Sequence, residues 1–165
     1  MYEKKDLESK LLHSLLNNGM YDMLDIFYKE THCPINFFTS DFKAIKFAPD
    51  QEIGDYIWDN ILKSEIIPPD IMKFLSDKEL IKKGYLSKNA FAVPKDKNMV
   101  RSRAVGVVAS KNKIIGYLTV YYTSEVTAED LELLNTLSKM MSLSFFNVEN
   151  SPTQVKSCLL YTSSS

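Results

Sequence analysis

The segment from Val105 to Glu149 constrains the fold of this chain more than any other. It reads as two strands joined by the polar turn Lys111–Lys113, then a short polar stretch and a long helix that begins after Thr127. The second strand, Ile114–Thr123, carries apolar residues on both alternating faces, which is typical of a central strand covered on both sides. Such a segment predicts an antiparallel sheet with a helix packed against it.

Side chains alternate between two faces along this second strand if its pleat is regular. One predicted face carries Ile114, Gly116, Leu118, Val120 and Tyr122. The opposite predicted face carries Ile115, Tyr117, Thr119 and Tyr121. Gly106 and Gly116 lie inside strand patterns, and an internal glycine indicates a bulge or a close backbone approach.

The residues before this segment predict further helices and strands. Leucines at helical spacing predict a helix over residues 6–17, and a second helix follows over residues 21–29. The segments Ile35–Thr39 and Ala44–Ala48 are aromatic and β-branched and flank a polar turn, which predicts a β-hairpin. The chain therefore begins with two helices and the first two strands of the sheet.

Residues 50–88 form a helical insert between this hairpin and two more predicted strands, Phe91–Val93 and Met99–Ala109. The predicted boundaries of its helices are a restart at Pro68-Pro69, a capping box at Ser76–Glu79 and a stop at Gly84. The predicted fold class is α+β: an antiparallel sheet of about five strands, flanked by N- and C-terminal helices and this insert.

The last predicted helix, Ala128–Val148, has Thr127 as its N-cap and carries two apolar stripes. The first stripe comprises Leu131, Leu134, Ser138, Met141, Phe145 and Val148. The second stripe comprises Leu133, Leu137, Met140 and Ser144. One stripe can pack on the sheet and the other on a partner helix, so we predict a homodimer or output face. We assign that face to Leu131, Leu134, Met141, Phe145 and Val148; the alternative is that both stripes are core.

Two pieces, Lys113–Val120 and Thr127–Leu134, resemble the C-terminal half of small cytoplasmic sensor domains of the GAF and PAS kind. With Phe37–Pro49 as a first hairpin, residues 20–148 are similar to the N-terminal sensory module of purine-catabolism-type and sugar-diacid-type bacterial transcription regulators. The resemblance implies that an unknown small-molecule metabolite binds this domain. It also implies a C-terminal helix-turn-helix that binds DNA, expected outside the printed 165 residues.

A pocket between insert and sheet would be lined by aromatic side chains with a few polar groups. The aromatic candidates are Tyr56, Trp58, Phe91, Tyr117 and Tyr121. Arg101 and Arg103 are two residues apart, so they would leave one face of a strand and clamp an anionic ligand. The alternatives are an ordinary aromatic core and a solvated strand entrance.

Two functions fit this sequence. The first is the ligand-sensing domain of a cytoplasmic transcription regulator, and the second is a ligand-free dimerisation or scaffold module of the same fold. An enzyme is not predicted, because no nucleophile-elbow, dinucleotide or P-loop motif is present and the carboxylates Asp22, Asp25, Glu129 and Asp130 suit helix ends.

Charge and composition exclude other classes. The 20 basic and 21 acidic residues leave a net charge of −1, so no direct nucleic-acid contact is predicted. No apolar run approaches a membrane span and no signal peptide is visible, which predicts a cytoplasmic protein with no membrane partner. His32 and Cys33 supply too few ligands for zinc, so no metal or cofactor is predicted, and Cys33 and Cys158 read as free thiols.

The predicted organisation has three parts. Residues 1–19 form an N-terminal helix, residues 20–149 form the GAF-like sensor domain, and residues 150–165 form a disordered or non-native tail. The tail is set apart because the helical pattern breaks at Ser151-Pro-Thr-Gln and because Ser157–Thr162 resembles translated read-through of a sequencing adapter.

Overall fold

A computed structural model describes residues 2–95 and 99–149, with the backbone alone described for 84 and 146–149. The helices are α1 (Lys4–Asn18), α2 (Met20–Thr31), α3 (Tyr56–Ser64), α4 (Pro69–Asp77), α5 (Leu80–Ser87) and α6 (Ala128–Glu149). The strands are β1 (Ile35–Thr39), β2 (Ala44–Ala48), β3 (Phe91–Val93), β4 (Ser102–Ser110) and β5 (Lys113–Tyr122). The predicted α+β fold is confirmed, while the predicted tail lies outside the described residues.

The five strands form one antiparallel sheet in the order β2-β1-β5-β4-β3. β5 is the central strand, as its sequence predicts. Both of its faces are covered, which explains why it carries apolar residues on both of them. Leu118 and Val120 are buried on one face, and Tyr117 and Tyr121 are buried on the other.

A bulge near the start of β5 reverses two of the predicted side-chain directions. The pairing with β4 shifts after the Val108–Gly116 pair, where Ile115 is an extra residue. Ile114 therefore packs beside Tyr117, and Ile115 packs against the core on the opposite face. The predicted faces are right from Gly116 onward and wrong for Ile114 and Ile115, because strict alternation does not survive a bulge.

Helices α1, α2 and α6 cover one face of the sheet, which we call the helical face. Its core combines Leu7 and Leu11 of α1 with Leu24 of α2 and Leu134 of α6. α6 begins in a reciprocal capping box: the Thr127 N–H donates to Asp130 Oδ2 at 2.9 Å, and the Asp130 N–H donates to Thr127 Oγ1 at 3.1 Å. The predicted N-cap at Thr127 is thereby confirmed.

α6 approaches β4 closely at Gly106. A Cβ on Gly106 would lie 2.9 Å from Leu134 Cγ and closer still to Ser138 Oγ, so only glycine allows this packing. Further along, the Ala109 N–H donates to Ser142 Oγ at 3.1 Å. The close approach predicted at Gly106 is confirmed, and it ties α6 to β4.

The predicted dimer face of α6 is wrong at Leu134 and Met141, because both side chains are buried in the domain's own core. Two residues of the second stripe, Leu133 and Leu137, are buried in the same core. Leu131 and Phe145 pack against this core while remaining partly exposed. The side chain of Val148 lies outside the described residues.

Helices α3, α4 and α5 cover the opposite face, which we call the insert face. The Asp55 carboxylate caps α3 by accepting the N–H groups of Ile57 and Trp58. The predicted capping box at Ser76–Glu79 is wrong: Ser76 lies in the last turn of α4, and Glu79 has a left-handed φ of 53°. The predicted stop at Gly84 is also wrong, because α5 continues to Ser87.

Candidate functional site

Two small cavities adjoin between the insert and the sheet, with volumes of about 40 and 50 Å³. Both are lined by Phe38, Ile67, Leu75, Val105 and Thr119. The first cavity reaches Arg103 and Tyr121, and the second reaches Phe42, Phe91 and Tyr117. The site is therefore mostly apolar with a few polar groups at one end, as ligand sites commonly are.

Strand alternation directs the sheet residues of this site toward the insert. Arg103 on β4 lies directly opposite Tyr121 on β5, and Asn36 on β1 lies directly opposite Thr119 on β5. These side chains leave the same face of neighbouring strands, so they form one polar group across the centre of the sheet. The guanidinium carbon of Arg103 lies 5.7 Å from the centre of the Tyr121 ring.

Several atoms of this polar group are buried and have no hydrogen-bond partner among the described residues. Asn36 has no exposed surface, and Arg103 is 5 % exposed. The atoms without a hydrogen-bond partner among the described residues include Asn36 Nδ2, Asn36 Oδ1, Arg103 Nε and Tyr121 Oη. Buried polar atoms in proteins nearly always find a partner, so this group of unsatisfied atoms makes the insert face a candidate site.

Arg103 is the most costly member of the group because its charge is permanent. Its Nη2 donates to Met99 Sδ at 3.2 Å, and a thioether sulfur is a weak acceptor. Among the described residues Arg103 makes no ion pair with a carboxylate. A buried charge normally has such a partner, and none of the described carboxylates of residues 2–95 and 99–149 provides one for Arg103.

The tyrosines of the site reflect the same environment. Burial raises the pKa of the Tyr121 hydroxyl, and the neighbouring Arg103 charge opposes that rise. Asp55 adds to the rise, while polar atoms of Arg103 and Asn36 oppose it from nearby, although neither side chain makes a hydrogen bond of ordinary geometry with Tyr121 Oη. Burial also raises the pKa of Tyr117. Both hydroxyls therefore stay protonated at neutral pH and are hydrogen-bond donors.

The structure brings together some of the predicted ligand residues. Phe91, Arg103, Tyr117 and Tyr121 line the cavities. Trp58 lies behind them: it is fully buried, its ring centre is 5.2 Å from that of Tyr121, and its Nε1 donates to the Gln51 carbonyl.

Two predicted ligand residues lie outside the cavities. Tyr56 is 52 % exposed at the start of α3 and lines neither cavity. Arg101 precedes β4, which begins at Ser102, and its Nη2 points to the Ile53 carbonyl oxygen at 3.4 Å. The predicted two-arginine clamp is therefore wrong, because Arg101 lies outside the regular strand that would place it beside Arg103.

The sequence analysis missed Asn36, Val105 and Thr119. A signal for Asn36 was present, since it is the one polar residue in Ile35–Phe38, an otherwise apolar strand segment. A polar side chain in an interior strand is buried, so its polar atoms need hydrogen-bond partners from the protein or from a ligand. Val105 and Thr119 look like ordinary strand residues, and only the sheet register places them at the cavities.

The candidate carboxylates have structural roles, and the candidate metal ligands do not form a metal-binding cluster among the described residues. The carboxylates of Asp22, Asp25 and Asp130 bond to Ser14, Lys46 and Thr127. His32 ends α2 in a left-handed conformation, and burial raises the pKa of the Cys33 thiol. Within residues 2–95 and 99–149, no group of three or more His, Cys, Asp or Glu residues could hold a metal ion.

The fold has relatives of known structure, although at the level of sequence no protein-family model and no curated protein matches the chain. The phycocyanobilin-bound GAF domain from a cyanobacterial phytochrome superposes with a TM-score of 0.58 at 10% identity, covering 89% of this chain and 96% of that one. The cofactor-binding GAF domain of the nutrient sensor CodY from Clostridium difficile gives 0.51 at 9% identity, covering 88% and 99%. This chain has the GAF fold.

The predicted GAF fold is confirmed by these superpositions, which at such low identity establish the fold alone. A further GAF-like structure is fRMsr of Staphylococcus aureus in its reduced form, a reductase, with a TM-score of 0.50 at 14% identity over 86% of this chain and 94% of that one. No helix in the described part of this chain combines the length and apolar character needed to cross a membrane.

Proposed function

We propose that this GAF domain is the ligand-sensing domain of a cytoplasmic bacterial transcription regulator and that a small metabolite binds between the insert and the sheet. The observation that supports this proposal is the unsatisfied polar group of Asn36, Arg103 and Tyr121 beside the cavities. A bound molecule would supply the missing hydrogen-bond partners. The phycocyanobilin-bound and cofactor-binding GAF domains of the same fold support a binding role.

The cavity volumes indicate how the metabolite would enter. Cavities of about 40 and 50 Å³ accommodate a few water-sized groups, so a larger molecule requires the insert to move away from the sheet. Among the described side chains, α4 buries Ile71 and α5 buries Leu80, so these two helices are lightly anchored. We therefore propose that binding displaces α4 and α5 rather than the sheet.

The path from the site to the output is short. Val105 of β4 lines both cavities, and the next residue, Gly106, contacts α6 on the other face of the same strand. A ligand that shifts β4 by pressing on Val105 would also shift the Leu134–Ser138 part of α6. We propose that α6 carries this change to a C-terminal helix-turn-helix, which would make the DNA contacts.

A thermal-shift screen of a broad metabolite library against the whole chain tests the sensing proposal. Hits are expected to raise the Tm of the wild type and of the exposed-site control Leu86→Ala. The same hits should fail with Val105→Leu, which fills the cavities from β4. A folded wild type that responds to no metabolite would contradict the proposal.

A homodimer is a second proposal, and its interface would lie away from Leu134 and Met141, which are buried in the core of the domain. Leu12 and Leu16 lie four residues apart on α1 and are 45% and 74% exposed, and Leu143 of α6 is also exposed. We propose that the exposed leucines of α1 pair two copies, with or without a ligand. Light scattering should give a dimer that Leu16→Glu disrupts and Leu86→Glu leaves intact; a monomeric wild type would contradict it.

We also propose that the domain binds its ligand without transforming it. Burial raises the pKa of Cys33, which keeps this thiol protonated and a poor nucleophile. Mass spectrometry of metabolite hits after prolonged incubation should recover them unchanged. Protein-dependent conversion of a hit would contradict a purely sensory role.

A further inference from the structure

We infer that the metabolite of this site carries a carboxylate, and that Arg103, Asn36 and Tyr121 bind that carboxylate together. Because the same cavity is involved, this inference rests on the proposed function and specifies its ligand class. It goes beyond the predicted arginine pair, since Arg101 takes no part and two neutral side chains replace it.

The charge of Arg103 is the first reason. The Arg103 side chain is almost completely buried; its guanidinium donates to the Met99 thioether sulfur and lies beside the Tyr121 ring and hydroxyl. Its Nε–H has no acceptor among the described residues. A planar carboxylate matches the guanidinium in both shape and charge, and it would compensate the buried cation.

The neighbours of Arg103 provide the second reason. The Asn36 amide and the Tyr121 hydroxyl are both buried donors without partners, and a carboxylate has two oxygens that accept several hydrogen bonds. Asn36 also has an unpartnered carbonyl oxygen, which needs a donor. An acid with a hydroxyl group beside its carboxylate, such as a 2-hydroxy acid, would satisfy every orphan atom of this group.

The walls of the cavity specify the rest of the molecule. The cavity that contains Arg103 is otherwise lined largely by aliphatic side chains, including Ile61, Ile71 and Val93. A short aliphatic chain would fill this space, because the volume is only about 40 Å³ before the insert moves. A phosphate dianion is a poorer fit, since one guanidinium would have to compensate a doubly charged and strongly hydrated group.

The test uses matched pairs of neutral and acidic probes on the whole chain. The acids are lactate, 2-hydroxybutyrate and 2-hydroxyisovalerate, each paired with its primary amide, and inorganic phosphate is the anion control. We expect the acids to raise the Tm of the wild type, with the amides and phosphate giving no comparable shift. Amides that act as strongly as their acids, equal action of phosphate, or no response to the acids would overturn the carboxylate assignment.

Asn36→Asp is the decisive variant because it places a carboxylate of nearly unchanged shape beside Arg103. It should stay folded and lose about tenfold or more in affinity for the acids, since the internal carboxylate competes for the guanidinium. Asn135→Asp is the matched control: Asn135 Oδ1 accepts the Ala90 N–H, and an aspartate keeps that acceptor. Equal acid affinity in both variants would overturn the inference.

A direct readout is available because Arg101 and Arg103 are the only arginines in the sequence. The Nε–H resonance of Arg103, assigned with Arg103→Lys, should shift on addition of acid while that of Arg101 stays in place. An unchanged Arg103 resonance during binding would overturn the inference. Metabolite hits that are all neutral would also overturn it while leaving the sensing proposal intact, whereas a silent library would contradict sensing itself.

Discussion

The two faces of the same sheet are built in different ways. On the helical face, the buried serines have hydrogen-bond partners: Ser14 donates to Asp22, and Ser138 donates to the Leu134 carbonyl at 2.8 Å. On the insert face, Asn36 and Arg103 are buried and keep atoms without a partner among the described residues, and Arg103 lines a cavity. Satisfied polar atoms and close packing stabilise a fold, whereas orphan atoms and cavities reduce stability and leave a place for a ligand.

The difference follows from the elements that cover each face. The helical face is covered by α6, a helix of 22 residues, together with α1 and α2 of 15 and 12 residues. The insert face is covered by α3, α4 and α5, which have 9, 9 and 8 residues. Short helices bury few side chains each and separate from a sheet at low cost. The helices of the helical face are therefore expected to stay packed on the sheet, and those of the insert face to separate from it more easily.

The largest expected effect compares a large-to-small substitution on each face. Leu134→Ala on the helical face should lower the free energy of unfolding by about 3 to 4 kcal/mol, because its tightly packed neighbours cannot move to fill the cavity that the truncation creates. Ile71→Ala on the insert face should lower it by about 2 kcal/mol, since α4 can settle into the existing space. Urea denaturation measures both.

Leu86→Ala is the control for this pair, since Leu86 is exposed on α5 and its truncation should change stability by less than about 0.5 kcal/mol. Equal losses for Leu134→Ala and Ile71→Ala would show that the helical face and the insert face are packed equally tightly.

The next effect compares two adjacent residues of β4 that point to opposite faces. Gly106→Ala should cost about 2 to 3 kcal/mol, because the new methyl group would lie 2.9 Å from Leu134 Cγ. Val105→Ile, which adds one methyl group on the cavity side, should cost less than about 1 kcal/mol. Adding Ser138→Ala to Gly106→Ala should recover part of the loss; no recovery would mean that Ser138 is not the obstacle.

A third effect is a loss of stability at alkaline pH that both faces share. Burial raises the pKa values of Tyr121 on the insert face and Tyr122 on the helical face, so each tyrosine holds its proton more tightly in the folded state. Their stabilisation is complete below about pH 10 and is lost as the pH rises above it, by at most about 1.4 kcal/mol per pH unit for each tyrosine.

Single phenylalanine substitutions separate the two contributions. The Arg103 charge opposes the pKa rise of Tyr121, while among the causes described for Tyr122 every one raises its pKa. Tyr121→Phe and Tyr122→Phe should each protect stability at alkaline pH, as measured by urea denaturation and tyrosinate absorbance. A substitution that leaves the alkaline loss unchanged would indicate that its tyrosine does not contribute to it.

The smallest effect concerns two asparagines. Asn36→Leu should raise the free energy of unfolding by about 1 kcal/mol, because it removes two buried polar atoms that have no partner. Asn135→Leu is the control and should lower it by about 1 kcal/mol, because the Ala90 N–H loses its acceptor at 2.7 Å. Destabilisation by Asn36→Leu would mean that Asn36 serves the fold rather than a ligand.

Local patterns in the sequence are sufficient for much of the fold. The apolar residues on both faces of β5 predict a central strand, Thr127 predicts the start of α6, and Gly106 predicts a close approach. Each of these features depends on residues next to one another in the chain. The capping box at Ser76–Glu79 shows the limit of such patterns, because the same residues can end one helix instead of beginning another.

The candidate site was less predictable, because its members are distant in the chain. Phe91, Tyr117 and Tyr121 could be named as aromatic candidates, but the same composition also suits an ordinary core, as the position of Trp58 shows. The α6 stripe that suggested a dimer is core for the same reason: apolar periodicity indicates burial and does not say against what.

By itself, the sequence determined the order of helices and strands, the central place of β5 and the N-terminal cap of α6, since these follow from local spacing and capping chemistry. Only the tertiary structure decided that Asn36, Arg103 and Tyr121 meet without satisfying one another. Their meeting depends on the register of β1, β5 and β4 and on the elements that cover the sheet, and these are set by the packing of the whole domain.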